Sequence, residues 1–455
     1  MNRLRRYGIA AAGLVVVLAA VAPARATPVV SKDATLPVGS ELNEQLLDQP
    51  TELFGFEQAG GRRSYLFNLG DMLFSSPAIF GGMARDAGLS CNSCHQQGAN
   101  NPALSIPGLS RRPGTFDTTG ALFNAKADNG VFDPVTIPSL RGAKYLAPYG
   151  HDGRFGSLRD FVRNVIVNEF AGPEPSGETL DALVTYLNEI SFLPNDKLTP
   201  DGRLTDKASE AARRGEALFN KPFPRNAAMS CATCHQADAA FVDHKVHDIG
   251  TGGFFKTKTL LNAKFSAPYF HDGRFDSFDE VVGYFDKQYD LGLTGKERAD
   301  LVAYLDAVGD AERPFTRNTV QLEVDELSAF ASALDVAIPA HDKAVVLQVV
   351  DAVGGEWREV GENFPELRDT SVEGGLSQRL KARAGVRDLV LTLRRIAMAA
   401  ETGDFAAAGQ IYAEYQKAVV AVTPRLKDAE QWSLYNPRVH ARHFAALAQL
   451  ATLAK

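Results

Sequence analysis

Two short strings in this 455-residue chain concentrate reactive side chains: "CNSCH" at 91–95 and "CATCH" at 231–235. They hold all four cysteines, Cys91, Cys94, Cys231 and Cys234, each pair followed directly by a histidine, His95 or His235. In such a run the two thiols sit on adjacent parts of one helical turn. They can then reach the two vinyl groups of a single porphyrin, and the next imidazole can turn onto its iron. The chemistry implied is covalent attachment of c-type haem, twice, with His95 and His235 as proximal iron ligands. Zinc would ask for further Cys/His partners at regular spacing, and a dithiol redox site for a flanking βαβ pattern; the sequence has neither.

A polar string also occurs twice, as "PYGHDGRF" at 148–155 and "PYFHDGRF" at 268–275. Asp-Gly favours a tight turn. The arginine after it, Arg154 or Arg274, carries a planar fork of donors suited to a haem propionate. His151 and His271 can hydrogen-bond a propionate, line the distal side or ligate iron. The competing reading is a buried turn whose His and Arg satisfy backbone carbonyls.

The sixth iron site is open in the sequence. No methionine lies between His95 and Met229 or between His235 and Met398, and no histidine lies between His95 and His151. The first haem is therefore expected to keep an accessible distal face for a small oxidant. For the second, His244, His247, His271, Tyr284 and Tyr289 are candidates. Splitting a peroxide needs a group that moves a proton between its two oxygens. Glu169, in "NVIVNEFAG", is a lone charge in an otherwise apolar stretch and is the expected catalytic residue. Its structural alternative is an ion pair with Arg159 or Arg163.

Elements that position these groups repeat in the same order. "GDMLF" (70–74) and "GEALF" (215–219) precede the haem motifs, and "TLDALVTYLNEI" (179–190) and "RADLVAYLDAV" (298–308) close the units with apolar residues on one helical face. His95 and His151 are 56 positions apart, His235 and His271 only 36, because the first unit carries a Gly/Pro/Asn-rich insertion. An irregular loop of this kind often carries function, so the two haems are expected to do different jobs. Residues 1–26 read as a secretory signal: Arg3, Arg5 and Arg6, a short apolar run, then Ala24-Arg25-Ala26. Removing its four arginines takes the formal charge from −7 to −11, which argues against a nucleic-acid partner. Beyond 315, Leu389, Val390, Leu393 and Ile396 form a helical stripe, a second helix starts at Asp404 and is expected to end before Pro424, and "NPRVHARHF" opens a third. His440 and His443 lie three apart there, where a solvated role outweighs metal binding. The predicted architecture is all-α: two cytochrome c-like haem domains in tandem (27–204 and 205–314) and a C-terminal helical bundle (315–455) with no haem motif.

The paired C-x-x-C-H units, "GEALF", "FVDHKVHDIG" and "APYFHDGRFDSFDEVV" resemble the bacterial di-haem cytochrome c peroxidase/MauG superfamily over about residues 50–310. That resemblance implies a periplasmic oxidoreductase that reduces hydrogen peroxide at the first haem. Electrons would come through the second haem from a small cytochrome c or copper protein. It also implies Glu169 as the distal glutamate, a calcium ion between the haem domains with Asn124 as a candidate ligand, and a homodimer as the candidate assembly. Three departures stand out. The inter-haem tryptophan position is His151, which points electron transfer to another route such as Tyr149. The position of the high-potential haem's Met or Tyr ligand is Phe285, beside Tyr284. No switchable histidine lies in 96–150, as in MauG-like members. A di-haem electron-transfer cytochrome without catalysis and a MauG-like oxidase of a protein partner are the alternative functions.

Overall fold

The computed structural model describes residues 36–42, 50–312, 319–365 and 374–442. The signal segment, part of the 310–318 boundary and His443 lie outside the described residues. Among the described residues no helix is long and apolar enough to cross a membrane. The fold is mainly α.

Each haem-motif unit is built on the crossing of an early helix with a late one. In the first, α1 (Tyr65–Phe74) precedes the one-turn α2 (Cys91–Cys94), α3 (Leu158–Asn164) follows the HDGR turn, and α4 (Gly177–Glu189) closes the unit. In the second, α5 (Glu210–Phe219), α6 (Cys231–Cys234), α7 (Phe278–Tyr289) and α8 (Gly295–Gly309) repeat that order. Serine or threonine hydroxyls cap α1, α3, α4, α5, α7 and α8, satisfying backbone N–H groups that the helix leaves open. The crossings depend on glycine. A Cβ on Gly70 would lie 2.1 Å from the Ala182 carbonyl oxygen, and one on Gly215 2.0 Å from that of Asp300. Tyr186 and Tyr304 are fully buried beside these two contacts.

Strands are few and short. In the first unit β1 (Thr115–Phe116) pairs antiparallel with β2 (Val135–Thr136); in the second β3 (Val246–Asp248) pairs antiparallel with β4 (Phe254–Lys256). Each hairpin docks on the HDGR turn of the other unit. Thr136 N–H donates to the His271 carbonyl at 2.7 Å, and Lys256 N–H to the His151 carbonyl at 2.9 Å. Thr136 and Lys256 are equivalent positions of the repeat, as are His151 and His271, so the two bonds are related by an approximate two-fold axis.

The C-terminal helices are α9 (Val320–Ala331), α10 (Lys343–Glu362), α11 (Leu376–Glu401) and α12 (Phe405–Ala429). One continuous apolar cluster joins them to the first unit through α1, while the second unit has a separate, smaller core. Inside the bundle Trp357 Nε1–H donates to Tyr415 Oη at 2.7 Å, both side chains being buried. The expected stop before Pro424 is corrected: α12 runs through it to Ala429. The proline lies on the solvent face beside Val420, whose carbonyl would have taken the missing N–H and can be met by water instead.

Candidate functional site

The two attachment turns are near copies. Ser90 and Ser230 cap them in reciprocal boxes with Ser93 and Thr233. Burial pushes the Cys91 thiol up to about 12 and Cys231 up to about 11, so neither is a ready thiolate. His95 Nδ1 lies 2.9 Å from the Pro138 carbonyl and 3.3 Å from that of Ala99, and His235 Nδ1 lies 3.1 Å from the Phe241 carbonyl. A carbonyl only accepts, so Nδ1 carries the proton and Nε2 keeps its lone pair. Burial lowers His95 to about 4 and lowers His235 as well, so both rings are neutral. A neutral imidazole fixed by its other nitrogen is the form that ligates iron.

The surroundings also suit a porphyrin. Half-buried aliphatics, among them Leu140, Val162 and Val165 in the first unit and Leu218, Leu260 and Leu293 in the second, lie at the edge of each core, as do Cys91, Cys94 and Cys231. Arg141, only 1% exposed, donates through Nη2 to Pro50 O at 2.6 Å and to Gln97 O at 3.4 Å, but its Nε and Nη1 have no partner. Two orphaned, buried guanidinium donors beside the Pro138 loop that orients His95 fit an anionic group such as a propionate. Sequence reasoning missed Arg141. Its signal was a difference between the repeats, since Leu261 takes the same place in the second unit.

Glu169 ends a π-helical turn, Val165–Glu169, that extends α3. Turns of this kind recur at functional sites. Its carboxylate accepts from Asn164 Nδ2 at 3.0 Å and Arg154 Nη2 at 3.3 Å, with a side chain 10% exposed. Burial raises it to about 7 against the opposing pull of Arg154 and Asn164. The expected structural partners are corrected: Arg159 pairs with Asp181 and Arg163 with Glu174, so the ion pair of Glu169 comes from the HDGR turn. Phe170, next in sequence, stacks on Phe80 at 4.4 Å and belongs to an aromatic cluster with Phe116 and Phe123.

The HDGR residues sit where the units meet. Arg154 pairs with Asp152 as well as Glu169, and Arg274 with Asp272 at 2.6 Å. His151 spends Nε2–H on the Thr136 carbonyl at 2.8 Å, which removes that nitrogen as an iron ligand. His271 stacks on Phe255 with ring centroids 3.5 Å apart. Tyr149 Oη donates within its own unit to Ala143 O, as its counterpart Tyr269 does to Ala263 O.

The candidates for the second iron are spoken for in different ways. His244 Nδ1 bonds the Ala147 carbonyl of the first unit at 2.7 Å, and Tyr284 donates to Ile249 O at 2.6 Å. Tyr289 stacks on Phe223. His247 Nε2 lies 2.6 Å from Asp243 and 3.7 Å from Cys234 Sγ, an attachment thiol. Cys234, Asp243 and His247 form a compact ligand-like group, but one member is a haem-attachment cysteine. Asn124 is bonded locally: its Nδ2 donates to Asn168 O at 2.6 Å and its Oδ1 accepts from Lys126 N–H at 3.1 Å.

Residues 209–335, which begin at the second unit, match the family model described as di-haem cytochrome c peroxidase. Over those residues the chain is similar to the di-haem cytochrome c peroxidase family. Among its relatives are hydrazine synthase subunit gamma of Kuenenia stuttgartiensis, 25% identical over 280 residues (48% of this chain, 72% of that one), and the methylamine utilization protein MauG of Methylorubrum extorquens, 25% identical over 304 residues (53% and 77%). The cytochrome-c peroxidase IdrP1 of Denitromonas iodatirespirans is 37% identical over 71 residues, 13% of this chain and 19% of that one. A solved chain of Kuenenia stuttgartiensis hydrazine synthase aligns over 67% of this chain and 100% of its own, at 21% identity and a TM-score of 0.41. The matched family is described by its two haems, which agrees with the two attachment turns seen here.

Proposed function

We propose that this protein is an exported, periplasmic di-haem c-type oxidoreductase that reduces hydrogen peroxide in its first unit with electrons entering through its second. In this reading 27–204 is the peroxidatic domain, 205–314 the electron-accepting domain and 315–455 a helical domain without haem. Cys91, Cys94 and His95 hold one haem, and Cys231, Cys234 and His235 the other. Arg141 joins Arg154 and Arg274 as a propionate partner. A c-type haem held by Cys91, Cys94 and His95 would supply the electrons for cleavage of the peroxide O–O bond.

The observation that carries the reading is Glu169: a buried carboxyl lifted to about 7, on a π-helical turn, within reach of a guanidinium. The equivalent position of the second unit is Tyr289, a phenol packed on Phe223. A buried carboxyl at this place in the repeat is therefore specific to the first unit. Glu169 removes the proton from one peroxide oxygen and returns it to the other as that oxygen leaves. Arg154 and Asn164 hold the carboxylate in place. With two electrons and two further protons, one peroxide gives two waters. Electrons cross between the units where Thr136 links the imidazole of His151 to the backbone of His271.

The test mixes reduced, haem-loaded protein with peroxide in a stopped-flow spectrometer. The expected result is oxidation far faster than that of free haem, slowed about 100-fold or more in Glu169→Gln, the scale of general acid–base catalysis. A Glu169→Gln variant as fast as the parent overturns the assignment. A MauG-like oxidation of a protein partner is the second reading, favoured by the similarity to MauG over 304 residues and by the lack of histidine in 96–150. A high-valent signal that outlives peroxide without any donor protein would select it.

A further inference from the structure

Two half-buried lysines lie at the seam between the haem units, and the reaction proposed above uses neither. Lys256 ends β4, and Lys258 follows two residues later. Lys256 Nζ reaches into the first unit and donates to the carbonyls of Leu146 and Pro148, the latter at 2.6 Å, with the face of Tyr149 5.7 Å away. Lys258 Nζ donates to Thr136 Oγ1 of the first unit at 2.8 Å and to Phe270 O of its own HDGR turn at 3.3 Å. The acceptors are three carbonyls and one hydroxyl, all neutral. Asp272 acts on Lys258 from a distance rather than through an ion pair. Converging carbonyl and hydroxyl oxygens, short of carboxylates, are a setting that takes up a hard cation. An ammonium drawn out of water is destabilised unless such oxygens replace its hydration shell. The charge is also specific to one unit: the first unit has Thr136 and Pro138 at the equivalent positions.

We propose that Lys256 and Lys258 are the junction's own cations, tethered ammonium ions filling the oxygen cages through which a free metal ion would join the two units, so that this seam needs no calcium. Each lysine bonds acceptors from the other unit, and together they brace the two HDGR turns on either side of the His151–Thr136–His271 linkage. The inference does not depend on the substrate of the first unit.

The test uses the haem-loaded full chain. Calcium content is measured by mass spectrometry, and thermal midpoints are recorded with EGTA and with added calcium chloride, for the parent and for Lys258→Met and Lys258→Arg. The expected parent is calcium-free, with a midpoint that neither reagent moves. Lys258→Met is expected to melt several degrees lower or fail to accumulate, whereas Lys258→Arg, which keeps the positive charge, retains most of the parent's midpoint. Calcium copurifying at one per chain, with a midpoint that falls on chelation, overturns the proposal. So does equal behaviour of the Met and Arg variants, because packing rather than charge would then hold the seam.

Discussion

Glu169 is held between two opposed influences, and their balance sets a pH dependence. Burial raises its carboxyl to about 7, while Arg154 and Asn164 pull it down. A base must be ionised to take a proton, so peroxide turnover is expected to rise as pH passes upward through about 7. Arg154→Met removes the larger lowering influence. Its ascending limb should move to higher pH, with Glu169→Gln losing the limb altogether; a pH profile of kcat/KM checks both. The stability sign is opposite. A carboxyl raised from its usual 4.5 to about 7 contributes stability that is complete below 4.5 and lost as pH rises through 7. Glu169 itself was legible because a charge interrupted an apolar stretch. Its partner was not, since Arg159 and Arg163 are nearer in sequence yet turn to Asp181 and Glu174. Arg154, 15 residues away, arrives only when the HDGR turn folds back. His151 and His271 were legible as a repeated pair, but their meeting depends on each hairpin crossing to the other unit, which no local pattern records.

The helices were the most readable elements, because a 3.6-residue apolar period survives whatever surrounds it. What the period does not reveal is how near two helices come. Gly70 and Gly215 appear in the sequence only as the first letters of "GDMLF" and "GEALF", and the structure makes them the contact points of both crossings. A methyl group there meets backbone rather than a yielding side chain, so α1 must move off α4, or α5 off α8. Gly70→Ala or Gly215→Ala should therefore cost about 2 kcal/mol or more, by the usual scale of overpacking. Reduced haem incorporation in the affected unit, together with a lower thermal midpoint, is the measurement. Pro424 shows the converse limit. The residue type argues for a helix end, but an exposed position lets water replace the lost bond, and packing of Val419, Val422 and Leu426 on the buried side carries α12 past it.

At the scale of the whole molecule, the apolar core is divided unequally. The first unit and the C-terminal helices share one cluster, running from Leu69 and Leu73 to Val346 and Trp357, whereas the second unit closes a small core around Phe241, Tyr304 and Val308. The chain's longest insertion and its non-haem helices thus both belong to the side proposed to meet peroxide. Calorimetry of the haem-loaded chain should separate two transitions. Trp357→Ala removes the largest fully buried side chain and leaves Tyr415 without its donor, a loss of about 3 kcal/mol or more on the usual scale for buried aromatics. It should lower the transition of the first unit while leaving that of the second in place. The contact between α1 and the C-terminal helices carries a pH signature. Burial and the nearby Glu326 of α9 and Glu52 hold the Asp71 carboxyl well above the ordinary range, against Arg63. A raised carboxyl gives stability in acid that disappears as pH climbs through its folded pKa, so the first-unit transition should fall with rising pH, above the ordinary carboxylate range, more steeply than the second. Asp71→Asn, which cannot ionise, should flatten that fall. A single transition moved equally by both substitutions would mean that the bundle stabilises both units alike, and the division of the core would then have no energetic counterpart.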